Sequence, residues 1–247
     1  MIIVANWKAY VEDLPKAKKL AAAAKRLSGA KNVSIVLAPP APLLSALAAS
    51  NKSAVAFSAQ DISTSAGGAH TGESTAQAFS AAGAAYTIVG HSERRAAGET
   101  NAVIAEKLVR AFAHGLTPML CVGEKERDGE GRYLAQVREE LTAALVALAP
   151  KERAKVIIAY EPRWAIGKGA AFAIAPNDLA EMVLYIRKVL GELLKGKSAA
   201  HSIVLYGGSV EPGNIAMLAK GSGVDGFLIG HASVEPATFS LLVKNLL

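Results

Sequence analysis

Short apolar runs separated by longer amphipathic stretches repeat along the whole chain. The runs are Ile2–Ala5, Val33–Ala38, Ala54–Phe57, Tyr86–Val89, Pro118–Val122, Val156–Tyr160, Ile203–Tyr206 and Phe227–Ile229. Runs this short and this continuously apolar read as strands buried on both faces. Between them, Leu14–Leu27, Glu99–Ala113, Arg132–Leu148 and Pro176–Leu194 repeat apolar positions with helical spacing over several turns. Ala41–Ala49, Thr75–Ala82, Pro212–Ala219 and Pro236–Leu246 are shorter helical segments. Strands that alternate with helical crossovers predict a parallel sheet covered on both faces. Eight such units, with no linker or low-complexity segment between them, predict an α/β fold: a closed (β/α)8 barrel forming one domain over residues 1–247. An open doubly wound sheet is the competing arrangement.

A barrel of this kind places its chemistry on the loops that follow the strands. Polar and conformationally special residues do cluster there: Asn6 and Lys8 after the first run, His91 and Glu93 after the fourth, Glu161 after the sixth, Gly207, Gly208 and Ser209 after the seventh, and Gly230 after the eighth. The stretch 159–169, AYEPRWAIGKG, is the most informative. Pro162 forces the chain out of the sheet directly after Glu161, while Gly167 and Gly169 allow the far end to swing. This reads either as an ordinary strand-to-helix loop with a solvated glutamate or as a carboxylate beneath a closing lid, where expulsion of water strengthens a base.

A lysine, a histidine and a lone carboxylate at one barrel mouth suit proton transfer next to a carbonyl: the carboxylate takes a carbon-bound proton, and the other two stabilise the oxyanion. His91 opens HSERR, read as the first turn of a helix, whose positive end disfavours an imidazolium. A bland reading stands beside this one, with His91 structural and Lys8 balancing Glu93. Gly207–Ser209 are read as opening a helix and Gly230 as preceding another short segment, both presenting amides to a phosphate.

Composition narrows the partners. The chain is 51% hydrophobic and 19% charged, with a net charge of +6. Its basic residues are scattered through amphipathic helices and are not interleaved with aromatics, so neither a nucleic-acid surface nor a membrane partner is expected. The uncharged stretch 33–51 is interrupted by Pro39, Pro40 and Pro42, and the N-terminus lacks the basic region of a signal peptide; a cytoplasmic protein is expected. Cys121, the single cysteine, excludes an internal disulfide and a multi-cysteine zinc site, and reads as a small buried hydrophobe. His70, His114 and His201 lack ligand spacing and read as structural. Gly221, Gly223 and Gly226 spell GxGxxG but precede a strand instead of following one; Gly167–Lys168 fails as a Walker loop; His91 and Glu93 lack the cysteine pair of a zinc deaminase.

ANWK (5–8), HTGE (70–73), VGHSERR (89–95), CVGE (121–124), YEPRWAIGKG (160–169), YGGSV (206–210) and DGFLIGHAS (225–233) together resemble the triosephosphate isomerase family, in order and over nearly the whole chain. The resemblance implies a TIM barrel that interconverts dihydroxyacetone phosphate and D-glyceraldehyde 3-phosphate through an enediolate, without metal or organic cofactor, in glycolysis and gluconeogenesis. It implies Glu161 as base, neutral His91 as electrophile, Lys8 and Asn6 polarising the substrate oxygens, and Glu93 supporting them. The amides of Gly167, Ser209, Gly230 and His231 would hold phosphate. Pro162, Trp164, Ile166 and Gly169 belong to the implied lid, which would close against Tyr206 and Ser209. Thr71, Gly72 and Glu73 resemble a loop that inserts beside the neighbouring subunit's active site, implying a homodimer. Arg163, Lys168, Ala170, Ala171, His231, Ala9, Tyr10 and Asp61 depart from the family's usual residues, which bears on lid kinetics, the phosphate site and dimer strength.

Without the resemblance, another phosphate-binding barrel or a catalytically silent anion-binding barrel would share many of these features.

Overall fold

The computed structural model describes residues 1–30, 32–167, 169, 172–194 and 202–247. Eight parallel strands close into a barrel in sequence order: β1 (Ile2–Asn6), β2 (Ser34–Ala38), β3 (Ala56–Ala59), β4 (Tyr86–Val89), β5 (Thr117–Val122), β6 (Ile157–Tyr160), β7 (Val204–Tyr206) and β8 (Gly226–Ile229). Closure is made by β8 on β1, in register from Ile2 opposite Gly226 to Ala5 opposite Ile229. Gly226 is required there, because a Cβ would fall 1.9 Å from the Ile2 carbonyl oxygen. The open doubly wound alternative is thereby excluded.

The helices on the outside are α1 (Leu14–Leu27), α2 (Ala41–Ala49), α3 (Ala76–Ala81), α4 (Ser92–Ala96), α5 (Asn101–Ala113), α6 (Arg132–Leu145), α7 (Pro150–Arg153), α8 (Pro176–Leu194), α9 (Ile215–Ala219) and α10 (Pro236–Lys244). Helices α1 and α3 begin at side-chain caps. Asp13 Oδ1 accepts from the Lys16 amide at 2.7 Å to start α1, and Thr75 Oγ1 accepts from Ala78 at 3.2 Å to start α3. Lys25 and Arg26 sit in the last turn of α1, where cations oppose the negative helix end. Among the described residues, no helix is long and apolar enough to cross a membrane.

Several boundaries differ from the sequence expectation. Strand β3 lies two residues beyond the apolar run Ala54–Phe57, because Ser58 is tolerated inside the sheet, its hydroxyl donating to the Ala59 carbonyl at 2.8 Å. Helix α6 stops at Leu145, short of the expected Leu148, and Pro150 opens the separate turn α7, which the periodicity had not marked. Gly207–Ser209 do not open a helix: the chain runs irregularly until α9 begins at Ile215. Asn214 replaces that helical geometry, donating to the Ser209 carbonyl at 3.1 Å and accepting from the Glu211 amide at 2.8 Å.

Alternation within strands separates two cores. Val4, Val36, Ile88, Met119, Cys121, Ala159, Leu205 and Leu228 form one apolar cluster inside the barrel. Their neighbours Ile3, Leu37, Val89, Leu120, Ile158, Tyr206 and Phe227 pack outward with the helices. A separate polar cluster braces α5 against the loop after β3: Lys107, 4% exposed, reaches Asp61 at 2.6 Å and Glu99 at 2.6 Å. Burial raises the Asp61 carboxyl above its ordinary range, a shift that the Lys107 hydrogen bond and charge only partly oppose. Lys107→Met is expected to destabilise the fold by about 3 kcal/mol, because it removes the buried cation between two carboxylates and leaves only the more exposed Arg94 to pair with them. Chemical denaturation checks this; a change below about 1 kcal/mol would show that the cluster is solvated well enough to do without the ammonium.

Candidate active site

The alternation in β6 aims Glu161 into the barrel mouth. Ile157 and Ala159 belong to the inner cluster and Ile158 and Tyr160 to the outer one, so the next inward position is Glu161. The ladders continue past the strand ends on both sides: the Glu161 amide donates to Val122 at 2.8 Å, and the Gly207 amide donates to Tyr160 at 2.8 Å. Cys121 is opposite Ala159 and Tyr160 opposite Tyr206, so Gly123 and Gly207 are the flanking neighbours of Glu161. Both must lack a side chain. A Cβ at Gly123 would fall 1.9 Å from the Glu161 carbonyl oxygen, and one at Gly207 would fall 2.9 Å from Glu161 Cγ.

The Glu161 carboxylate is 2% exposed. Its Oε2 accepts from the Ser92 amide at 2.9 Å, and Oε1 lies 3.3 Å from His91 Nε2. His91 caps α4, its Nδ1 accepting from the Glu93 amide at 3.2 Å. That bond assigns Nδ1 as the unprotonated nitrogen, so the N–H of a neutral ring is on Nε2, facing the carboxylate. Sequence reasoning placed His91 at a helix start; the structure adds which nitrogen faces the mouth.

Lys8 completes the group from β1. Its Nζ is 2.6 Å from Glu93 Oε1, the charge balance considered from sequence. Burial pushes the Glu93 carboxyl up, but the hydrogen bond from Lys8 and its charge hold it below the ordinary glutamate range. Lys8 adopts φ 45°, uncommon for a residue with a side chain. The turn is held by Asn6 Oδ1, which accepts from the Lys8 amide at 3.1 Å, and by Gln60 Nε2, which donates to the Lys8 and Ala38 carbonyls at 2.9 Å each. Strain maintained in this way by its surroundings is typical of functional positions.

Asn6, Lys8, His91 and Glu161 line a cavity of about 360 Å³, together with Gly167, Ser209, Gly230 and His231, and with Ile166 and Gly169 of the proposed lid. Thus the four sequence-assigned phosphate residues do converge with Asn6, Lys8, His91 and Glu161. A cavity of about 430 Å³ beside the Asp61, Glu99 and Lys107 cluster is larger, but its acids and bases are paired with each other. The mouth instead brings a carboxylate, an imidazole, an ammonium and a carboxamide to one cavity. Thr71, Gly72 and Glu73 are not part of it; they are exposed on a separate loop.

The first end of the expected lid is anchored. Arg163–Ala165 form a 3₁₀ turn; the Arg163 amide donates to the Glu124 carbonyl at 2.9 Å, and Trp164 Nε1 donates to Glu124 Oε1 at 2.9 Å. Glu124, fully buried, also accepts from Tyr160 Oη at 2.8 Å and from Arg127 Nε at 3.1 Å. The Arg163 guanidinium pairs with buried Glu140 of α6, which also accepts from the Gly123 amide at 3.1 Å. Ser209 Oγ donates to the Ala165 carbonyl at 2.6 Å, joining the 3₁₀ turn to the loop after β7. Burial pushes the Tyr206 hydroxyl up to about 12.

Sequence reasoning did not assign Glu124, Glu140 or Ser92. Glu124 was within reach of the strand-end rule, since CVGE ends β5; Ser92 contributes a backbone amide, which no residue type announces. Cys121 is buried as expected, and burial followed by the nearby Glu161 charge pushes its thiol well above the ordinary range, as an inert packing residue requires. His114 ends α5 and His70 is exposed. His201, Lys168, Ala170 and Ala171 lie outside the described residues.

Comparison with known proteins bears on this site. A family model described as triosephosphate isomerase matches residues 1–246. The triosephosphate isomerase of Halorhodospira halophila is 41% identical over 241 residues, 96% of this chain and 94% of the relative. That of Symbiobacterium thermophilum is 38% identical over 245 residues, 98% and 94% of the two chains, and that of Thermus thermophilus is 38% identical over 247 residues, 99% and 98%.

Proposed function

This chain belongs to the triosephosphate isomerase family, and from that premise we propose that Glu161 is the base of a triose phosphate isomerisation carried out at the barrel mouth. Glu161 removes a proton from C1 of dihydroxyacetone phosphate and returns it to C2, while the hydroxyl proton of O1 is transferred to O2, giving glyceraldehyde 3-phosphate through an enediolate; no electrons leave the substrate. The supporting observation is the carboxylate 3.3 Å from His91 Nε2, inside a cavity shared with Lys8 and Asn6. His91, as a neutral donor, and Lys8, as a fixed cation, stabilise the oxyanion as it forms. Both Glu161 oxygens have partners in this structure, so proton abstraction requires one of them to be released. Gly207 leaves room for that rotation.

The phosphate end comprises the amides of Gly167, Ser209, Gly230 and His231, all at the cavity wall. Pro162, Trp164, Ile166 and Gly169 form the lid, pivoting at the Glu124 anchor. Residues 1–247 act as one domain. The protein works as a cytoplasmic homodimer in which the exposed Thr71–Gly72–Glu73 loop reaches the partner's mouth.

Turnover of glyceraldehyde 3-phosphate in a coupled assay, with metal-stripped protein, tests the reaction; inactivity of folded protein would move the anion-binding reading forward. Sedimentation at micromolar concentration tests the dimer. Arg163→Val is expected to loosen the lid's first end by removing the pair with Glu140, changing the dependence of kcat on added viscogen. Equal turnover with equal viscosity dependence would show that the pair has no part in lid opening.

A further inference from the structure

Two aromatic rings stand at the phosphate end without a part in the chemistry above. Tyr10 lies two residues beyond Lys8, in the turn after β1; His231 follows Gly230 directly and opens the 3₁₀ turn His231–Ser233 after β8. Since β8 and β1 are the pair that closes the barrel, these turns leave the sheet side by side. The rings meet edge to face, with centroids 5.5 Å apart and planes at 71°. Both residues line the cavity together with Lys8, Ser209 and Gly230.

The contact is not core packing, because Tyr10 is 52% exposed and His231 is exposed as well. An edge-to-face pair at an exposed rim restricts ring orientation more than it adds stability. What it restricts is an imidazole, whose nitrogens can donate to a phosphate oxygen and which carries positive charge when protonated. We infer that the His231 side chain, and not only its backbone amide, is a ligand of the substrate phosphate, and that Tyr10 is a positioning residue that holds the ring at this rim. Lys8, already paired with Glu93, supplies charge nearer the reacting carbons. The His231 ring would supply a further donor to the phosphate from the turn after β8.

This inference rests on the phosphate end proposed above, and the test separates the two. Inorganic phosphate is used as a competitive inhibitor of the parent, His231→Gly, His231→Gln, Tyr10→Ser and Tyr10→Phe. Absence of competitive inhibition in the parent would discard the phosphate end itself. With inhibition present, His231→Gly is expected to raise both KM for glyceraldehyde 3-phosphate and the inhibition constant of phosphate by about three- to tenfold, with a smaller change in kcat. His231→Gln, which keeps a donor, should recover part of the loss. Tyr10→Ser should raise both constants and Tyr10→Phe, which keeps the ring, should not. Unchanged or lowered constants in His231→Gly would overturn the ligand role. A Tyr10→Ser effect that disappears at high enzyme concentration would assign Tyr10 to the subunit contact and overturn its positioning role.

Discussion

A Glu161→Gln enzyme is expected to fold as the parent does and to lose about three orders of magnitude in kcat. The amide is nearly isosteric, and its oxygen can still accept from the Ser92 N–H, as Oε2 does now at 2.9 Å. Seating is therefore preserved while the proton acceptor is lost. A positioned general base contributes about 10² to 10⁴ in rate, and the low exposure of Glu161 leaves bulk water poorly placed to replace it. Coupled-assay kcat, read beside the melting curve, checks both halves. A folded variant within tenfold of the parent would remove Glu161 from the role of base and require another acceptor at the mouth.

Gly123→Ala is expected to affect both stability and rate, by one cause. The new methyl would sit 1.9 Å from the Glu161 carbonyl oxygen and 2.5 Å from its carbonyl carbon, both backbone atoms that no rotamer change can move aside. Strands β5 and β6 would have to separate locally by on the order of 1 Å, at a cost of about 3 kcal/mol. The Gly123 amide would also move from the Glu140 carboxylate it now meets at 3.1 Å, disturbing the residue that pairs with Arg163 at the proposed lid. Because the atoms displaced belong to the proposed base, kcat should fall by about 10²-fold even where the variant remains folded. Thermal unfolding and coupled-assay kinetics on the same sample test the link. A variant that is destabilised but has parental kcat would show that the Glu161 backbone position is not critical for rate. Gly98→Ala is a useful comparison: it has open space for a Cβ but a positive φ, so it reports backbone strain without this clash.

The architecture was readable because it rests on local pattern. Eight apolar runs and the helices between them are set by which residues can be dry on both faces, and seven of the eight runs end within one residue of the strand found. The exception, β3, shows the limit of the signal: a serine breaks the apolar run, yet the sheet accepts Ser58 once its hydroxyl finds a carbonyl one residue away. Expecting a helix at Gly207–Ser209 failed for a related reason. Glycine permits many paths, and the one taken is set by Asn214, whose side chain binds the Ser209 carbonyl five residues back.

By itself, the sequence determined the strand and helix order, the inward alternation that carries Asn6 and Glu161 to the barrel mouth, and the residue types available there. Those follow from period and polarity, which act between near neighbours. Only the tertiary structure decided the partners: Ser92 and His91 for the Glu161 carboxylate, Glu124 and Glu140 for the turn Arg163–Ala165, Gly123 and Gly207 as the spaces that admit Glu161, and Tyr10 for the His231 ring. Each joins segments far apart in the chain through a directional contact of a few ångströms. Such contacts depend on how the barrel closes and on the register of its strands, and no local pattern of residues encodes a distance across it.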